Sequence, residues 1–305
     1  MQICKASSYH KSFILLISPL KFTVFFMVKN DPNQYPLLPG PPYTVYAVSY
    51  FNTRPLIHNL DQNPEVRLHV APPAYLAQML DHGLAHAALI PSIDYQLSQQ
   101  QWVILPVAVI GTRQEVLTVR VFSRTPIDQI QTLYCDTESH TSVALVQIVW
   151  ALSKQKLTIK PLTTDPSALP AVLLIGDKVI PQLNQWPCEF DLGGAWTDLT
   201  GLPFVFAFWA APADQNLDTL IEILKKSWQQ GMAHIEQIVD KYAAQHGLQP
   251  ELAHKYLTEN LCFDFGEPQK LALQKFYQLA HQLNLTAGIR PLCIYPLSRK
   301  LLKKY

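Results

Sequence analysis

The sequence predicts an α/β protein of two lobes with a ligand cleft between them. Segments of strand character alternate with helical ones in two separate series, the pattern of parallel βαβ units. Two β-rich segments, residues 103–110 and 115–123, link the series, and a run of helices closes the chain. Short polar residues follow directly on the expected strands, where open α/β sheets bind their ligands.

The ordered part begins at Tyr43, after a proline-rich stretch over residues 31–42 that neither coils nor pairs regularly. Residues 44–49 and 66–70 read as strands, and residues 73–82 as an amphipathic helix stopped at Gly83. A short apolar strand over residues 86–90 runs into Pro91-Ser92. The second series has a strand at 133–136, a helix reaching about Leu152, strands at 159–162 and 171–175, and a short helix opened by Asp177. Residues 203–210 form a dense aromatic strand, followed by helices over 217–230, 232–246, 250–259 and 267–283. This places residues 43–123 and 203–285 in lobe 1 and inserts residues 124–202 as lobe 2. Residues 1–42 are then an N-terminal extension and residues 286–305 a basic tail without clear pattern.

Hydrophobic residues make up 49% of the 305 and charged residues 15%, against roughly 25% charged in an average soluble domain. Such a chain buries a large core, which excludes general disorder. With 24 Lys and Arg against 23 Asp and Glu, the net charge of +1 offers no global field for nucleic acid. Five scattered cysteines, without a CxxC pair or metal-ligand spacing to histidine, fit a reducing compartment and no metal site. The apolar run over residues 12–28 is interrupted by Pro19 and Lys21, so no stable membrane association is expected. That run fits either an export signal or a stretch upstream of a start at Met27.

Four strand ends carry the candidate site: Ser49 to Asn52, Pro91-Ser92, the segment Asp136 to Ser142, and Gly176-Asp177. Clustered Ser, Thr and Asn with free backbone amides suit the carboxylates and hydroxyls of a small ligand. The 136–142 segment lies between a strand and a helix, so its N–H groups and the helix dipole converge on one place. Ser139 or Thr141 also fits the role of helix cap, which does not prevent a hydroxyl from touching ligand. Asn52 alone reads equally as a turn former, Thr118 as packing inside a strand, Asp177 as a cap and His140 as a structural histidine. Physical reading of the residues stops at a two-lobed binder of a small anion.

The same segments resemble a known family. Ser49-Tyr50-Phe51-Asn52-Thr53-Arg54-Pro55-Leu56 is similar to the opening motif of chorismate dehydratases, SYLNT-x-PL. Ala88 to Tyr95 matches ALIPS-[IV]-[ED]-Y, and Asp136 to Ser142 resembles DTSSRTS. Ile175-Gly176-Asp177 matches IGD. Asp191-Leu192-Gly193 with Trp196, and Thr200 to Ala207, match DLG-x-x-W and TGLPFVFA. The motifs occur in family order over about residues 43–285.

The resemblance implies a periplasmic-binding-protein-like fold of type II and an enzyme of the futalosine route to menaquinone. It implies a hydro-lyase that converts chorismate to 3-[(1-carboxyvinyl)oxy]benzoate and water with no cofactor. It favours the Met27 start and a cytoplasmic location over an export signal. It assigns Asn52 and Thr118 to the reacting face, Thr118 standing where the family commonly has Ser. Ser49, Thr53, Ser92, Ser139, His140, Thr141, Ser142, Gly176 and Asp177 become substrate-binding candidates. His140 stands where Arg is usual, which replaces a permanent bidentate clamp by a titratable group. The rival readings are the sister 1,4-dihydroxy-6-naphthoate synthase, whose opening motif is absent, and a non-catalytic solute-binding protein. Nothing in the sequence sets the oligomeric state.

Overall fold

The computed structural model describes residues 40–297. The apolar run at 12–28, the Met27 start, most of the proline-rich stretch and residues 298–305 lie outside the described residues. Within them the strands are β1 (Tyr43–Val48), β2 (Val66–Ala71), β3 (Ala87–Pro91), β4 (Trp102–Thr112), β5 (Val119–Ser123), β6 (Thr132–Cys135), β7 (Thr158–Pro161), β8 (Ala171–Ile175), β9 (Cys188–Asp191) and β10 (Phe204–Pro212). The α-helices are α1 (Pro73–Asp81), α2 (Asp94–Leu97), α3 (His140–Leu152), α4 (Leu192–Thr200), α5 (Asp218–Ala233), α6 (Ile235–Tyr242), α7 (Pro250–Lys255) and α8 (Glu267–Gln282).

The strands form two five-stranded sheets, ordered β2-β1-β3-β10-β4 and β7-β6-β8-β5-β9. In each sheet three strands run parallel, and the fourth position holds a strand antiparallel to both neighbours, β10 in one and β5 in the other. These two strands are the ones that arrive from the opposite lobe. The chain therefore crosses twice, through residues 113–118 and residues 201–203. The central strands β3, β8 and β10 are buried almost throughout, as continuous apolar runs demand, whereas edge strand β2 alternates. Helix α3 is apolar on most of its circumference and is buried between its own sheet and helices α4 and α8.

Several expectations change. Residues 119–123 pair with β8 and β9, so the second sheet takes up the chain before residue 124, the expected boundary. Alternation marks a strand without naming its partner. Thr118 sits just before β5, not inside a strand, next to Leu117 in a left-handed conformation at φ 70°. The helix expected over 250–259 breaks at Lys255 into a π-helical turn, Tyr256–Asn260. Strand β9 and helix α4 have no counterpart in the periodicity. Residues 286–297 are a strap on lobe 1, not a loose tail. Ile104 N–H donates to Cys293 O at 2.8 Å and Tyr295 N–H to Ile104 O at 2.9 Å, which pairs the otherwise open edge of β4. Arg290 fastens the strap through Tyr95 O and Ser98 O. No helix among the described residues is long and apolar enough to cross a membrane.

An aromatic cluster joins the lobes at the second crossing. Trp196 of α4 meets Phe204 of β10 at 5.2 Å between ring centres, and Phe204 meets Phe276 of α8 at 5.0 Å, both edge to face. The Trp196 indole N–H donates to Pro203 O at 2.9 Å, so the crossing itself is tied to the cluster. Phe276 is fully buried. Its replacement by Ala should cost about 3–5 kcal/mol in urea unfolding, the range for truncating a buried aromatic. A cost under about 1 kcal/mol would show that the cluster is not part of the core.

Candidate functional site

The carboxyl ends of β1, β3, β6 and β8 face one another across the gap between the sheets. A cavity of about 60 Å³ lies there. Its walls are mostly apolar, with Val48, Ile110, Val116 and Phe206 prominent, and its polar groups come from Tyr50, Asn52, Thr118, Ser139, Thr141 and Ser142. Every polar residue in this set follows a strand or opens a helix except Thr118, which comes just before β5.

At the lobe 1 end, Phe51–Thr53 forms a 3-10 turn directly after β1. Asn52 is buried, and its side chain is held from both sides. Thr53 Oγ donates to Asn52 Oδ1 at 3.3 Å, while Asn52 Nδ2 donates to the Tyr256 hydroxyl at 3.2 Å. The Tyr256 hydroxyl also meets Thr118 Oγ in a short hydrogen bond. Burial pushes the Tyr256 phenol well above its ordinary range. Thr53 thus stands behind Asn52 and does not line the cavity.

Thr118 owes its place to Asp191. That buried carboxylate accepts from Val116 N at 3.0 Å and Leu117 N at 2.9 Å, and caps α4 through Gly193 N and Gly194 N at 2.9 and 3.1 Å. Arg120 Nη2 adds a bond at 3.3 Å. Burial raises the Asp191 pKa, and these donors oppose the rise.

At the lobe 2 end, Ser139 caps α3 by accepting from Ser142 N at 3.3 Å. Ser139 caps the helix and also lines the cavity. Thr141 Oγ accepts from Ile93 N at 3.2 Å and lies 3.5 Å from Ser92 Oγ, so it ties the lobes. Ser92 is fully buried behind this contact, its carbonyl accepting from Tyr277 OH at 2.7 Å. Ser49 holds the β1–β2 edge through its N–H to Ala71 O at 3.1 Å and stays outside the cavity.

His140 departs from the expected role. Its Nδ1 lies 2.8 Å from Asp94 Oδ1 on the opposite lobe, and the ring does not line the cavity. The first residue of a helix points away from the cap, so the side chain next to Ser139 faces across the cleft and not into it. Asp94 raises the His140 pKa, against the effect of burial. Asp94 Oδ2 is buried and has no hydrogen-bond partner among the described residues.

Asp177 likewise serves as a strut. Its carboxylate accepts from Phe51 N at 3.2 Å and lies 2.6 Å from His246 Nδ1. Arg54 Nη2 approaches His246 Nε2 at 3.2 Å. Because guanidinium only donates, Nε2 accepts and the Nδ1–H donates to Asp177. Its neighbour Gly176 does line the cavity, at φ 59°. A Cβ there would lie 2.5 Å from the Tyr50 ring, so glycine is required by conformation and by space. Tyr50 OH donates to Glu138 Oε2 at 2.7 Å, and Lys178 Nζ bridges Glu138 and Asp136 at 2.7 and 2.9 Å. The two carboxylates of the 136–142 segment thus share one lysine. Tyr256, Asp191, Asp94 and His246 carried no signal in the periodicity; only Asp191 and Asp94 fell within family-like motifs.

The menaquinone biosynthesis family matches this chain over residues 43–282. A chorismate dehydratase of Thermus thermophilus is 30% identical over 268 residues, covering 77% of this chain and 94% of that protein. A chorismate dehydratase of Campylobacter jejuni is 31% identical over 114 residues, 37% of this chain and 50% of that protein. Among solved structures, a protein from Archaeoglobus fulgidus superposes with a TM-score of 0.65 at 16% identity, covering 80% of this chain and 98% of that one. The periplasmic aliphatic sulphonate binding protein SsuA of Escherichia coli gives 0.62 at 15% identity, covering 84% and 92%. The fold is therefore periplasmic-binding-protein-like.

The His140–Asp94 pair makes a testable statement about pH. With the His140 pKa raised in the folded state, the stabilisation is complete below the ordinary value of about 6.5 and is lost as pH rises through the folded value. His140→Arg keeps the charge at all these pH values and brings a second N–H for Asp94 Oδ2. Its gain in melting temperature over the wild type should grow between about pH 6 and about pH 9. A gain independent of pH would contradict the pairing.

Proposed function

This chain belongs to the chorismate dehydratase family of menaquinone biosynthesis, and we propose that it removes water from chorismate to give 3-[(1-carboxyvinyl)oxy]benzoate. The reading places the reaction as a hydro-lyase step on the futalosine route. One observation carries it beyond family membership: the cavity is lined by neutral hydrogen-bond donors, and its one ionisable lining side chain, among the described residues, is Tyr50.

The substrate supplies the driving force. Loss of the hydrogen on the ring carbon bearing the enolpyruvyl ether, with loss of the adjacent hydroxyl, makes the ring aromatic. One proton and one hydroxide leave as water, and no electron changes hands. The protein orients the ring and stabilises the charge that spreads into the ring carboxylate as the proton departs. The N-terminus of α3, with Ser139, Thr141 and Ser142, suits a carboxylate without a permanent cation. Asn52 and Thr118 suit the reacting face, the amide and hydroxyl acting as donors.

Tyr50 is not available as a base, since burial and the carboxylates of Glu138, Asp136 and Asp177 raise its pKa and keep the phenol protonated, its O–H donating to Glu138. Proton abstraction is therefore assigned to the substrate's own enolpyruvyl carboxylate.

Purified protein incubated with chorismate should yield an aromatic product lighter by one water, with the same rate after chelator treatment. Asn52→Ala should lower kcat by about a hundredfold, the usual cost of one preorganised donor, with a smaller change in KM. Chorismate bound but recovered unchanged would overturn the enzyme reading in favour of a solute-binding protein.

A further inference from the structure

Tyr256 is absent from the cavity wall, yet both groups assigned to the reacting face end on its hydroxyl. It lies 204 residues from Asn52 and 138 from Thr118 in the chain, on the π-helical turn that follows α7. Its side chain is 1% exposed, and the ring stacks beside Phe51 at 6.5 Å between centres. π-Helical turns cost hydrogen-bond geometry and concentrate at functional places. Here the turn sets the phenol between two polar side chains on different elements.

The donor inventory fixes the direction of the bonds. Asn52 Nδ2 donates, so the Tyr256 oxygen accepts from it. If Thr118 also donated to that oxygen, the phenolic proton would be buried without an acceptor, at the full desolvation cost of an unmade bond. The satisfied arrangement has Tyr256 donating to Thr118 Oγ. Thr118 then has its own proton free, and Asn52 has its second amide proton free. We propose that Tyr256 is a positioning residue of the dehydration site, whose phenol turns the Thr118 hydroxyl and the Asn52 amide into a pair of donors aimed at the substrate. The proposal rests on the reading of the cleft as a chorismate site. Burial raises the pKa of the phenol, which favours its protonated form.

Tyr256→Phe keeps the ring and removes only the bridging oxygen. It should lower kcat between about tenfold and a hundredfold, as loss of donor preorganisation does, while KM changes less than about twofold. The same substitution on a Thr118→Val background should cost markedly less than in the wild type, because one of the two groups it orients is gone. Thr118→Ser, which keeps the oxygen, should retain the dependence on Tyr256. A Tyr256→Phe enzyme as active as a chorismate-converting wild type, or an equal loss on the Thr118→Val background, overturns this proposal alone. A slowly exchanging Tyr256 hydroxyl proton in the NMR spectrum, with a cross-peak to the Thr118 methyl that vanishes in Thr118→Val, supports the bridge without reference to turnover; its absence overturns the bridge. A wild type that leaves chorismate unchanged overturns the function reading and, with it, the role in dehydration.

Discussion

The buried carboxylate of Asp191 is the constraint on which the two-lobed arrangement depends. It ends β9, caps α4, and receives the backbone of Val116 and Leu117 from the crossing between the sheets. Leu117 holds a left-handed backbone without glycine's freedom, a conformation that costs about 1–3 kcal/mol and persists only where its surroundings impose it. Asp191 imposes it, and Thr118 follows as the next residue. The same carboxylate that starts α4 therefore decides where a hydroxyl enters the cleft. Desolvation works against such a group, and four backbone N–H bonds with Arg120 offset it.

Closure and ligand contact are encoded in neighbouring residues. Asn52 lines the cavity while Phe51 N reaches Asp177; Ser139 lines it while His140 reaches Asp94; Gly176 lines it while Asp177 reaches His246. Consecutive residues in a turn point in different directions, so each of these strand ends supplies one residue to the cavity wall and one contact to the opposite lobe. Each strut is individually weak, being partly exposed to water. Together they hold the donors of one lobe against those of the other. Only the arrangement of neutral donors, with the dipole of α3, is left to meet a carboxylate.

The parts of this account legible in the sequence were those that local rules govern. Small polar residues after the strands mark the sheet's carboxyl edge, and Asn52, Ser139 and Gly176 all line the cavity there. The cap at Ser139 follows from its position before an apolar helix. Local spacing gives the loop but not the face, which is why His140 and Asp177 belong to the closing struts and Ser49, Thr53 and Ser92 to the supporting layer. Strand pairing is non-local, so β5 read as part of lobe 1. Tyr256 comes from a distant helix end, and a tyrosine in an apolar helix carries no mark of what its hydroxyl will meet. The strap over residues 286–297 looked like a tail because its stabilisation comes from the free edge of β4, not from any pattern of its own.

The central claim is that the protein aligns and stabilises, while the substrate provides both the aromatic driving force and the proton acceptor. The cleft supports this division of labour. Tyr50 cannot serve as a base beside Glu138, and His140 and His246 are turned to carboxylates outside the cavity. The most direct test measures turnover of chorismate whose enolpyruvyl carboxylate is blocked as a methyl ester, against chorismate itself, at saturating concentration. The account predicts a kcat lower by about a hundredfold or more, the contribution of a positioned general base. Conversion of the ester at the rate of chorismate would show that a group on the protein takes the proton.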